Sequence, residues 1–262
     1  MTGAASLFDV SGRSALITGA TGAFGAMAAH TLAAAGASVT LAAGSEEGLE
    51  TLAAELRKQG ASVAVVARRA QSDEDADAMV DAALGTHGSL DLVVTAAGTN
   101  KVAPAVEQSL DDWESVVDAN ARGTWLVCRA AGRRMIEAGT RGKFVLLSST
   151  RSDLGHPAGY TAYCASKAAV NLITKALACE WGRHGINVNA IAPTVFRSDL
   201  TEWMFGDDER ATTVREGFLT RIPLGRLGEP EDFAGALLYF LSRASDFCTG
   251  QVLFVDGGYT AG

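Results

Sequence analysis

At 262 residues, with 48% hydrophobic and 20% charged side chains, the chain is too apolar for disorder and long enough for one large α/β domain or two small ones. A net charge of -8 argues against a sequence-independent grip on nucleic acid, which needs clustered cations, and favours solubility. Cys128, Cys164, Cys179 and Cys248 are too scattered for a zinc site. Dispersed thiols, no basic leader before an apolar run and no bilayer-length apolar stretch together predict a soluble, cytoplasmic protein with no membrane partner.

In chain order, SALIT reads as the first strand. Thr18 to Gly25 (TGATGAFG) follows it and opens a helix. Glycines there let the backbone turn tightly and approach a pyrophosphate attracted by the helix N-terminus. Strand–helix turns also use glycine for purely structural reasons, so both readings stand. Gly36 marks a helix stop, and ASVTLAA is the second strand. Leu49, Leu52, Ala53 and Leu56 fall on one face of a helix starting near Ser45. SVAVVA is the third strand. Ser72 with Asp75 reads as a capping box for a helix striped by Ala76, Met79, Val80 and Ala83. LDLVVTAA is the fourth strand. Its small terminal residues, Thr95 to Gly98, either keep a cleft open for a flat ligand or pack tightly. Ser109 with Asp112 caps a helix striped by Trp113, Val116 and Val117. KFVLLSS, INVNAIA and QVLFV complete seven strands.

Such continuous apolar strands are expected where helices cover both sheet faces. The alternation predicts a doubly wound, Rossmann-type parallel sheet of seven strands in a single domain over residues 1–262. Ligands then bind beyond the carboxyl ends of the strands, near residues 19–25, 43–46, 95–98, 148–152 and 193–198.

Tyr163 and Lys167 stand one helical turn apart on the same face of YCASKAAVNLITKALACEWG. The pair is either a solvated helix face or a proton donor tuned by the neighbouring charge. Taken with the glycine loop, TAAG (Thr95 to Gly98), NARG (Asn120 to Gly123), Ser148–Ser149 and FVDGG (Phe254 to Gly258), it resembles the short-chain dehydrogenase/reductase family in its single-domain branch. The likeness spans about residues 7–259 and favours the proton donor.

The resemblance implies hydride transfer between NAD(P) and a secondary alcohol or ketone. Tyr163 is then the general acid/base. Lys167 lowers the phenol pKa and holds the nicotinamide ribose. Ser149 binds the substrate oxygen, and Asn120 completes a proton relay through water. Ser148 is expected on the other sheet face. The cofactor is expected against Gly19, Thr21, Gly22, Phe24 and Gly25, against Gly44 and Ser45, against Ala97 and Gly98, and against Tyr163, Lys167, Pro193, Val195 and Ser198. No metal is expected.

The chain departs from the family pattern in several places. Ala23 takes a usual glycine position, with Gly22 one residue early. Ser149 lies one residue farther from Tyr163 than is usual. TAAG replaces Asn-Asn-Ala-Gly, and Thr194 replaces a glycine. Ala43, Gly44 and Ser45 provide neither the acid that selects NAD nor the arginine that selects NADP. Glu46 and Glu47 suit a helix first turn, and Arg68 reads as solvated, so NAD and NADP both stay open.

A segment at about 198–228 is expected to cover the substrate. Within it Trp203, Met204 and Phe205 form an apolar lid or pack onto the sheet. Arg151, His156, Tyr160, Arg197 and Trp203 are expected to rim a site for a small polar substrate, a polyol or sugar acid. Two alternatives are a 3-oxoacyl thioester reductase, with a pantetheine groove and a basic docking patch, and a non-catalytic dinucleotide sensor or scaffold. The helices in DANARGTWLVCRAAGRRM and ASKAAVNLITKALACEW are apolar over much of their surface and need another surface to cover them; the family resemblance implies that this is a homotetramer.

Overall fold

All seven apolar runs pair side by side. The computed structural model describes residues 3–198 and 201–262. In chain order the elements are α1 (Ala4–Leu7), β1 (Ser14–Thr18), α2 (Ala23–Ala34), β2 (Ser38–Ala42), α3 (Glu46–Lys58), β3 (Val63–Val66), α4 (Asp73–His87) and β4 (Leu92–Thr95). There follow α5 (Leu110–Val117), α6 (Gly123–Ala138), β5 (Lys143–Leu147), α7 (Thr161–Trp181), β6 (Asn187–Pro193), α8 (Glu209–Leu219), α9 (Pro230–Leu241) and β7 (Val252–Val255). A π-helical turn, Asp118–Arg122, joins α5 to α6.

The sheet is parallel throughout, in the order β3-β2-β1-β4-β5-β6-β7. The winding direction reverses between β1 and β4, and in such sheets the ligand crevice opens at that reversal. Successive strand residues face opposite sides. Ile17, Leu41, Val94 and Val145 pack with α2, α3 and α9 through Leu32, Leu49 and Phe233. Leu16, Val93, Phe144 and Leu146 pack with α4, α6 and α7 through Met79, Met135 and Trp181. Every strand position of β1, β4 and β5 is buried, as expected when helices cover both faces.

The helix signals act locally as their chemistry requires. Ser45, Ser72 and Ser109 each accept a first-turn N–H, from Gly48, Asp75 and Asp112. Asp75 returns its carboxylate to Ser72 Oγ and to the Gln71 N–H, so the box closes one residue early. Gly36 takes φ +84° just after α2, where a side chain would be strained. A third, smaller core of Met204, Ile222, Leu227 and Tyr259, joined by Phe205, Phe218 and Leu219, forms the covering segment beyond β6. Among the described residues no helix is long and apolar enough to cross a membrane, and no acid, His or Cys group could hold a metal ion.

The junction of α6 and α7 depends on an absent side chain. A Cβ at Gly132 would fall 2.6 Å from the Trp181 ring, which packs on Phe144 with centroids 5.3 Å apart. Gly132→Ala forces the ring to shift. Overpacking of this kind costs about 1–3 kcal/mol, partly offset by alanine's helix preference. The urea midpoint is expected to fall; an unchanged or raised midpoint would show that Trp181 yields freely.

Candidate active site

The cleft is built from the strand ends inwards. After β1 the chain turns at Gly19, φ +65°, and a Cβ there would lie 2.5 Å from the Ala97 backbone. A Cβ at Gly25 would lie 2.1 Å from the Gly19 carbonyl oxygen. These two glycines let β1, the end of β4 and α2 close on one another. Gly22 differs: it is exposed, precedes α2 as its N-cap, and a Cβ there meets only the Gly19 oxygen, at 3.3 Å. No side chain caps α2, so its first N–H groups are left for another acceptor. This cradle fits a pyrophosphate. Ala23, in place of the usual glycine, is half-buried along the same wall. Phe24 borders the cleft but is set edge-on between Phe196 and Phe233, at 5.3 and 5.2 Å, so its ring ties α2 to the chain after β6.

At the end of β5 the strand alternation separates two serines. Ser148 Oγ donates to Asn171 Oδ1 of α7 at 2.6 Å, while Ser149 lines the cleft. α7 then sets Tyr163 and Lys167 along the opposite wall. Lys167 is 3% exposed. Its Nζ donates to the Leu147 carbonyl at 2.8 Å and stands 5.7 Å from the centre of the Tyr163 ring. Desolvation lowers its pKa to about 8.

Tyr163 corrects an expectation. The lysine charge was to lower the phenol pKa, but burial pushes it up, and only the Ser149 hydroxyl among its near neighbours offsets this by hydrogen bonding. Desolvation of the phenol is the largest cause, ahead of the Ser149 hydrogen bond and the more distant Arg151 charge that lower it.

Asn120 is wholly buried in the π-helical turn. Its Oδ1 accepts the Thr99 N–H at 2.7 Å, and its Nδ2 donates to the Thr99 carbonyl and Ser166 Oγ. It clamps the loop after β4 against α7. Gly98 borders the cleft, and a Cβ there would crowd Asn120 Oδ1 at 2.9 Å.

The cleft, of about 570 Å³, also collects Val195, Ser198, Arg151, His156 and Tyr160. Tyr160 meets Tyr163 edge-on at 6.2 Å and His156 at 4.6 Å. Burial, then the fields of Arg151 and Arg221, lower the His156 pKa. Pro193 is buried at the end of β6, behind the cleft surface. Thr21, Gly44 and Ser45 lie outside the cleft, along the ends of β1 and β2, and Ser45 caps α3.

Two expected substrate contacts are corrected. Arg197 turns away to Glu229 and Glu202, at 3.0 and 2.9 Å, and stacks on Phe205. Glu202, five residues on, and Glu229, brought in by the fold, together hold its charge away from the cleft. Trp203 is 41% exposed and stacks under Arg210, while Met204 takes the buried place in the covering segment.

Two further features were not read from the sequence. Asn100 lines the cleft with a buried Oδ1 that has no partner among the described residues. Arg69, three residues past β3, lies over Gly44: a Cβ there would be 2.3 Å from its Nε. Arg68 pairs with Asp75 at 3.1 Å, as a solvated arginine does. A bare glycine at the end of β2 together with a second arginine after β3 was the available clue.

Known proteins share this architecture. The family pattern described as Enoyl-(Acyl carrier protein) reductase matches residues 19–260. An uncharacterized oxidoreductase of Mycobacterium tuberculosis is 56% identical over 97% of this chain and 93% of its own. The gluconate 5-dehydrogenase of Gluconobacter oxydans is 38% identical over 97% of both chains. The crystal structure of a gluconate 5-dehydrogenase from Burkholderia cenocepacia in complex with NADP and tartrate superposes with a TM-score of 0.89, at 34% identity over 98% of both chains.

Proposed function

The chain belongs to the short-chain dehydrogenase/reductase family, and we propose that it interconverts a secondary alcohol and a ketone on a small polar substrate, a polyol or sugar acid, with NAD(P). The observation that carries this reading is the meeting of Ser149, Tyr163 and Lys167 in one cleft whose far end is the uncapped glycine turn. The backbone at Gly19, Gly22 and Gly25 would hold the pyrophosphate, with Gly98, Val195 and Ser198 beside the nicotinamide. Bound there, the dinucleotide supplies or accepts the hydride.

The protein's own groups handle the proton. In reduction Tyr163 donates its phenolic proton to the carbonyl oxygen; in oxidation it takes the alcohol proton. Ser149 donates to the same oxygen as negative charge develops. Lys167 stabilises the phenolate, and Asn120 holds the floor of the cleft at Thr99. Arg151, His156, Tyr160 and Asn100 give the substrate end a polar lining, which suits a hydroxylated substrate such as those of the gluconate relatives. A carrier-bound thioester needs a basic docking patch. Beside the cleft, Arg197 and Arg226 are already neutralised by Glu229 and Asp232, and the net charge of -8 repels an acidic carrier.

Arg69 favours NADP over NAD. It covers Gly44 and has no hydrogen-bonded or ionic partner among the described residues, whereas Arg68 is taken by Asp75. A 2′-phosphate would meet that guanidinium, though Glu46 and Glu47 in the first turn of α3 weaken the gain. The exposed Trp125 of α6 (39%) and Leu172 of α7 (62%) are the faces that further copies would cover in a homotetramer. Four free cysteines suit the cytoplasm.

Tyr163→Phe is expected to lower kcat by about 10²–10⁴-fold, with the NADPH Kd, read by nicotinamide fluorescence, nearly unchanged. Retained turnover would end the proton-donor assignment. Because burial raises the Tyr163 pKa, the phenol stays protonated at neutral pH. Ketone reduction should therefore hold steady from about pH 6 to 8, while alcohol oxidation climbs with pH and flattens above about 8 as Lys167 loses its charge. A pH-independent oxidation rate would contradict this. Arg69→Ala should weaken NADPH about tenfold and NADH little; equal effects on both would remove Arg69 from that role.

A further inference from the structure

One buried guanidinium in the cleft wall is held in no salt bridge among the described residues. Arg151 lies just after Ser149, whose Oγ accepts its backbone N–H at 3.2 Å, and it is only 8% exposed. Its Nη1 donates to the Gly155 carbonyl at 3.1 Å and its Nη2 to the Tyr259 hydroxyl at 3.0 Å. Both acceptors are neutral, and Arg151 forms no ion pair among the described residues. By contrast Arg197 and Arg226, nearby, each hold carboxylates. A desolvated charge without a counter-ion is unfavourable until an anion completes it. A guanidinium carries five N–H donors, so two neutral bonds leave donors for a bidentate carboxylate.

The surroundings strengthen the positive field rather than cancel it. Arg221, beyond α8, donates to the same Tyr259 oxygen at 3.4 Å and stacks 4.5 Å from its ring centre. His156 is held towards its neutral form, by burial first and then by these two arginines. It can therefore join an anion site as a neutral hydrogen-bonding group.

The oxygen on which both guanidiniums converge is placed by the C-terminal turn. Gly257 and Gly258 take φ +61° and +89°, and Asp256 accepts the Gly258 and Thr260 N–H groups, each at 2.9 Å. The turn packs tightly on Ile222 and Pro223: Cβ atoms at the two glycines would fall 2.7 and 2.9 Å from them. Tyr259 is thereby tucked in, 3% exposed.

We propose that Arg151 anchors a substrate carboxylate and that Tyr259 is the positioning residue that aims it. The enzyme's preferred substrates are then hydroxy or keto acids rather than neutral polyols. This rests on the alcohol–ketone reading above and sharpens it. The competing explanation is that Arg151 only staples the loop after β5 to the C-terminal turn.

The test uses the full chain with NADP(H). KM and kcat are measured for D-gluconate and for its neutral counterpart D-glucitol, and the tartrate Kd is read from the fluorescence of bound NADPH. Wild type is expected to prefer gluconate and to bind tartrate. Arg151→Gln should raise the gluconate KM by about 30-fold or more relative to glucitol, the order of one lost charged bidentate contact. Arg151→Lys, which keeps the charge and loses the fork, should fall between. Tyr259→Phe should raise the gluconate-to-glucitol KM ratio about fivefold with kcat nearly constant, and weaken tartrate in step. Arg210→Gln, which removes a charge from the same covering segment, should leave that ratio unchanged.

Equal losses on both substrates in Tyr259→Phe would overturn the anchor in favour of the staple. Turnover of glucitol alone, without tartrate binding, would overturn the anchor and leave the alcohol–ketone reading standing. If no polyol or sugar acid reacts, that reading fails, and the tartrate titration still decides the anchor because it needs no turnover. If Arg151→Gln does not fold, Arg151→Lys and Tyr259→Phe carry the test.

Discussion

The ammonium of Lys167 is buried between α7 and the end of β5, with the Leu147 carbonyl as its hydrogen-bond partner. The contact is costly, since a desolvated charge gains only a dipole in return, and the lowered pKa records that cost. It nevertheless sets the distance between the helix that carries Tyr163 and the strand that delivers Ser149. Ser148 reinforces it from the other face of the strand, donating to Asn171. Helix and strand are thus pinned on both sides of one backbone segment. The two hydroxyls that would share a substrate oxygen emerge from that joint.

A second constraint is the close approach of β1, β4 and α2. It is possible only because Gly19 and Gly25 present no Cβ where the Ala97 backbone and the Gly19 oxygen lie. The sheet reverses direction there, so the two strand ends diverge and leave the crevice open. The loop after β4 would otherwise be free to collapse into it. Asn120 prevents this by engaging both backbone groups of Thr99 and linking them to Ser166 on α7. The π-helical turn directs that amide inwards, and such turns are frequent where a helix serves a site.

The cations around the cleft fall into two classes. Arg197, Arg226 and Arg68 are matched by acids within a few residues along the chain or across a helix end, and they stabilise the covering segment and the caps. Arg151 and Arg69 face the two ends of the ligand path with no acid bonded to them among the described residues. In a chain of net charge -8, these two guanidiniums are the cations on which the proposed anion contacts rest.

Much of this was legible locally. The strands read as apolar runs, the serine caps at Ser45, Ser72 and Ser109 formed, and the stripes Leu49–Leu56 and Ala76–Ala83 were buried, because each depends on residues within one or two helical turns. The alternation that separates Ser148 from Ser149 is equally local. What the sequence could not decide depended on groups far apart along the chain. Arg197 and Arg151 look alike in the sequence, yet Glu229 claims the first, while Tyr259, more than a hundred residues later, holds the second. Tyr163 was expected to be acidified by its neighbour, and burial by the whole cleft reversed that. The sequence by itself determined the order of elements, their caps and the glycine turn, since short-range sterics and hydrogen bonding suffice for those. Only the tertiary structure decided which charges are spent, which are left for a ligand, and how far each titrating group is desolvated, because these are sums over every surface that packs around them.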